Sequence, residues 1–200
     1  MAINLVQTIS NFITPEVVAR LAQALGVNPG LAQTLVNAAL PTILAMFGGA
    51  AATPAGAQRL ADQIGEQDPG VLDNLAATFA GANQSSLAAG GSSVLSSLLG
   101  GAGVSSIAGA LSRVTGAHAG AAQGALGLLT PVALASIGRQ DPSVWSSGAA
   151  LSSLFSGQRD AIQAAMPAGL GAALGGLGLP ALANFAAPAG AVDRAAQAAA

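Results

Sequence analysis

The chain has 200 residues and 19.0 kDa, enough for one domain with a full core or two small ones. It carries only six Arg and eight acidic residues, no Lys and no Cys, for a net charge of −2. That balance offers no attraction to phosphate backbones, and disulfides, thiolate metal sites and thiol catalysis are excluded. Charged residues make up 7% of the chain, where about 25% is usual. With 52% hydrophobic residues and a mean hydropathy of +0.61, the surface must be largely apolar or neutral-polar. Part of it is expected to be covered by another copy or a partner.

In chain order, residues 1–13 lack the basic start and the small-residue cleavage site of a signal peptide, and predict a helix over 3–13. A repeated start signal follows: Thr14-Pro15, Asn28-Pro29, Thr53-Pro54, Asp68-Pro69 and Asp141-Pro142. In each, a side-chain oxygen can accept an orphan N–H of the first turn, and proline fits the next position because its missing N–H costs nothing there. Gly26, Gly48-Gly49, Gly116 and Gly138 supply stops. Apolar residues recur every four positions, as in Val17, Leu21 and Leu25. The reading is helices over 15–25, 29–47, 54–65, 69–80, 92–99, 104–115, 118–137, 142–155 and 158–166. A low-complexity Ala/Gly/Leu/Pro tail or linker occupies 167–200.

Four stretches run for more than 20 residues without charge: 21–58, 74–112, 114–138 and 161–192. Gly, Pro, Asn, Gln and Ser interrupt them, so they are expected to be core rather than membrane spans. The best span candidate is 170–185.

A shift of 90 residues lays 21–48 over 111–138 with nine identities in 28 positions, among them Gly26/Gly116, Gln33/Gln123 and Pro41/Pro131. Each half then holds a short helix, a Gly turn and a long helix kinked by proline. The expected fold class is all-α: one compact multi-helix domain over 1–166, with pseudo-repeated halves of about 1–90 and 91–166.

The run Thr14-Pro15-Glu16-Val17-Val18, then Leu25-Gly26-Val27, Ala39-Leu40-Pro41, Gly56 and Leu60 resembles the YidB-like family of uncharacterised bacterial proteins. Leu128-Leu129-Thr130-Pro131-Val132 fits the same pattern in the second half. The resemblance covers roughly 3–160. It implies an all-helical fold with no assigned activity. Some relatives resemble fusions in which this region precedes a Pro/Ala linker, a membrane segment and an OmpA-like peptidoglycan-binding domain. The Ala/Pro-rich end, 186–200, is similar to the start of such a linker.

Candidate chemistry is sparse. Val17–Val36 and Ile107–Ala125 have a helix-turn-helix shape, but the recognition helix of the first offers only Gln33, Thr34 and Asn37 for contacts, with no positive charge, so no nucleic acid is expected. His118, the single histidine, sits at a helix start with no acid or nucleophile near it in sequence. Gly100-Gly101-Ala102-Gly103 lacks the Lys of a phosphate-binding loop. Asp62, Glu66, Asp68 and Asp73 read as a solvated, helix-capping patch rather than a cation loop.

Gly116, Gly120 and Gly124 strip one helix face of side chains. With Trp145 and Phe155 they are the candidate interface residues. The expectation is a non-enzymatic structural or scaffold module of the cytoplasm, which includes the inner face of the envelope, with no cofactor, metal or small-molecule substrate. It would act as a homo-oligomer. The alternative is an envelope-associated binding module tethered through its C-terminal segment. No membrane contact is expected within this chain, while a span beyond Ala200 stays open.

Overall fold

The computed structural model describes residues 4–67, 69–81, 84–140, 143, 145–167 and 169–175. Ten α-helices and one 3₁₀ turn fill them, with no strand among the described residues. The helices are α1 (Leu5–Phe12), α2 (Pro15–Leu25), α3 (Pro29–Ala51), α4 (Pro54–Gly65), α5 (Leu75–Ala80), α6 (Gln84–Leu99), α7 (Gly101–Thr115), α8 (Ala119–Gly138), α9 (Gly148–Ala165) and α10 (Leu170–Gly175). The 3₁₀ turn, Pro69–Asn74, precedes α5.

Start chemistry explains the first four helices. The side chains of Asn4, Thr14, Asn28 and Thr53 each accept a hydrogen bond from the N–H three residues on. Pro15, Pro29 and Pro54 follow three of these caps, so α2 and α4 have the bounds that the sequence predicts.

Elsewhere the structure corrects the reading. Gly48-Gly49 does not stop α3, which runs four residues further to Ala51 with both glycines buried. The α6 helix begins at Gln84, eight residues before the expected start at 92, because a Ser/Ala/Gly run carries no cap-proline signal. The expected helix over 69–80 is a 3₁₀ turn followed by a short α-helix. The two helices expected over 142–155 and 158–166 are one, capped by Ser147. Asp68, Asp141 and Pro142, and residues 176–185 of the best span candidate, lie outside the described residues.

The core lies around α3 and α8. Every residue from Ala38 to Ala51, and all but Gln123, Gly124 and Gly138 from Ala121 to Gly138, is buried. Each helix is apolar on all sides because it is packed on all sides, α3 by α2, α4, α8 and α9, and α8 by α6, α7 and α3. Both are long and apolar enough to cross a bilayer, yet 89% and 83% of their most apolar windows are buried inside the bundle.

Each long helix contains a buried proline, Pro41 or Pro131. Hydroxyls close by donate back one turn: Thr42 to the Ala38 carbonyl, Thr130 to Leu126 and Ser136 to Val132, each at 2.7 Å. Such back-bonding satisfies a buried hydroxyl and bends a helix.

The corners before the two long helices share a backbone form. Gly26 and Gly116 are left-handed, with φ of 65° and 75°, where a Cβ would be strained. Two residues on, Asn28 caps α3 and His118 caps α8.

Their covers differ. Phe155 of α9 meets Phe47 of α3 edge to face, with centroids 6.5 Å apart. Over α8, α6 comes in through Gly91, where a Cβ would overlap the Gly127 carbonyl oxygen and touch the Pro131 ring. Pro131 has no N–H to give the carbonyl four residues back, so the Gly127 oxygen is free of its helical partner. Because Gly91 has no side chain, the α6 backbone can close over that oxygen.

Candidate functional site

The five interface candidates fall into different environments. Gly116 is the left-handed cap of α7, and Gly120 is an exposed first-turn residue of α8. Gly124 is half-buried, and a Cβ there would come 2.7 Å from the Leu25 side chain, so that glycine makes room for this chain's own α2. Phe155 is buried at 1% exposure as part of the core. Trp145 is half-buried, and its indole N–H donates to the Gln140 carbonyl at 3.4 Å. The five do not form one surface patch. Within the chain, a close backbone approach is made by Gly91 and Gly127, whose pairing across two helices leaves no spacing to find in the sequence.

His118 serves the backbone, its Nδ1 accepting from the Ala121 N–H at 3.0 Å. An imidazole can do so only with that nitrogen unprotonated. Among the described residues, no three His, Asp or Glu side chains converge on a metal-sized point. The acidic patch is spread out. Asp62 accepts from Gln58, Glu66 accepts from Gln63, and Asp73 pairs with Arg139.

A cleft of about 490 Å³ lies between the start of α2 and the 3₁₀–α5 segment. Its walls are apolar at Phe12, Val17, Leu72 and Leu75, and charged at Glu16, Arg20 and Asp73. Arg139 closes one side, paired with Asp73 and 5.8 Å over the Phe12 ring. In a chain with so few charges, three line this cleft and a fourth, Arg139, pairs with one of them. Its hydroxyl, Thr14, already caps α2 by accepting from Val17. The cleft thus offers ion pairing and apolar contact, without a base poised beside a nucleophile.

A smaller pocket of about 190 Å³ sits where α4 and α8 end, walled by Ile64, Gly65, Gln67, Ala135, Gly138 and Trp145. Sequence reasoning missed both concavities. Their residues are far apart along the chain, and only the packing of α4 on α8, and of α2 on α5, brings them together.

Residues 7–140 match the model of a family described as a bacterial protein of unknown function, DUF937. No curated protein and no solved structure matches.

Proposed function

The chain belongs to the DUF937 family of bacterial proteins, which brings no chemistry with it, and we propose that it is a non-catalytic scaffold module that works by self-association. The observation that carries this reading is the outer face of α6 and α7. The chain has no charged residue from Asn74 to Ser112, and these two helices, bent 111° to one another, turn Ser86, Ala89, Gly90, Ser93, Ala102 and Ser106 to solvent.

A mid-helix glycine costs up to about 1 kcal/mol relative to alanine. Packing within this chain does not require that cost at Gly90, where a Cβ would meet nothing within 4 Å. Small, neutral, exposed side chains of this kind suit a second helix surface at close range. The copies would meet in the cytoplasm. An envelope tether beyond Ala200 is the second reading, supported by the Ala/Pro-rich end of the sequence.

Absolute mass by light scattering after size exclusion, across a wide concentration range, tests the reading with the Gly90→Arg variant beside the parent chain. The expected result is a defined oligomer for the parent and a monomer near 19.0 kDa, folded and no less stable, for the variant. A parent that is monomeric at every concentration overturns self-association. An oligomer unchanged by the variant moves the interface off α6–α7.

A further inference from the structure

We propose that the pocket at the C-terminal ends of α4 and α8 binds a small organic cation, an alkyl- or quaternary-ammonium group, against Trp145. The pocket measures about 190 Å³. A cavity of roughly 150 Å³ holds a benzene-sized molecule, so a trimethylammonium-sized group fits. Ile64 and Ala135 are buried and form the floor, while Gly65 is exposed and leaves the mouth open.

Two missing side chains make the space. A Cβ on Gly65 would lie 3.7 Å from the six-membered ring of Trp145, and one on Gly138 would lie 3.4 Å from Ile64. Neither glycine has the positive φ that would require glycine for backbone reasons.

The electrostatics share one sign. The two helices end at Gly65 and Gly138, so both direct the negative ends of their dipoles here. The π system of an indole attracts cations. Asp62 and Glu66 lie in and just after the last turn of α4, where a carboxylate works against the helix dipole. Their described partners are glutamine amides, Gln58 at 3.1 Å and Gln63 at 2.8 Å, which leave the negative charge in place.

Among the described residues no basic side chain lines the pocket. Arg139 is the next residue after Gly138, but its guanidinium is committed to Asp73 and Phe12. Among the described residues the wall offers no carboxylate oxygen to coordinate a metal ion, and the charge these residues suit is one spread over an organic group.

The chain supplies its own reporter, since Trp145 is the single Trp and there is no Tyr. Its fluorescence is titrated at constant ionic strength with choline, with butylammonium, and with the neutral isostere of choline in which carbon replaces nitrogen. The expected result is a saturable change with the two cations, on the order of millimolar, and at least about tenfold weaker binding of the isostere. Gly65→Leu, which fills the mouth, should abolish the response while helix content and melting are retained. Choline binding more tightly than butylammonium assigns a quaternary ligand. The reverse assigns a primary amine, such as a partner's lysine side chain. Equal response to the isostere, no saturable response to either cation, or an undiminished response in Gly65→Leu overturns the site.

Discussion

The corner between α2 and α3 and the corner between α7 and α8 are built alike, but the helices that cover the two long segments are not. Both corners turn on a left-handed glycine, and both start the next helix with a side-chain cap two residues later. Beyond them, α3 is covered by an aromatic ring from α9 and α8 by bare backbone from α6. Local chemistry is sufficient to make the corner, because a cap and a left-handed residue act within one turn. The cover depends on volume matching between distant helices, and there the surroundings of α3 and α8 diverge.

The largest expected effect tests the aromatic cover. Phe155→Ala removes a buried ring that touches Phe47, and should cost roughly 3–5 kcal/mol by urea denaturation. A loss below about 1 kcal/mol would mean that α9 does not close the α3 side of the core.

The next effect tests the backbone cover. Gly91→Ala would place its methyl on the Gly127 carbonyl oxygen, and backbone in the middle of a packed helix yields little. The expected loss is at the upper end of about 1–3 kcal/mol. Its neighbour gives the opposite sign: at Gly90 a methyl meets open space, so Gly90→Ala should stabilise the monomer by up to about 1 kcal/mol. Two adjacent glycines responding alike would show that α6 does not seat on α8 through Gly91.

This division between corners and covers is also the division between what sequence revealed and what it did not. Thr14-Pro15 and Thr53-Pro54 gave the starts of α2 and α4, because capping is written in adjacent residues. Gly26 and Gly116 were legible for the same reason. The breaker pair Gly48-Gly49 misled, because burial inside the bundle outweighs the intrinsic cost of glycine in a helix. The break expected between 155 and 158 is absent as well, since α9 runs through Gly157 to Ala165, although that glycine is exposed. Of the glycines in the 116–124 stripe, two are exposed and the third admits Leu25. Nothing in the order of residues says that Gly91 will face Gly127, or that Gly65 and Gly138 will frame one pocket with Trp145.

The smallest effect concerns the likeness of the corners. Asn28 presents an amide oxygen to the Leu31 N–H at 2.8 Å, and His118 presents Nδ1 to the Ala121 N–H at 3.0 Å. If the two corners do the same work, Asn28→Ala and His118→Ala should each cost about 1 kcal/mol in thermal unfolding at pH 8. The acceptors are not equal in kind. Asn28 presents an amide oxygen, and Pro29 behind it fixes the first helical residue, whereas His118 presents a ring nitrogen and is followed by Ala119. His118→Asn should therefore retain the cap, hold stability at or slightly above the parent, and separate loss of the acceptor from loss of the ring. A His118→Asn variant as unstable as His118→Ala would mean that the imidazole acts at this corner through something other than its cap, and the two corners would then be alike only in backbone.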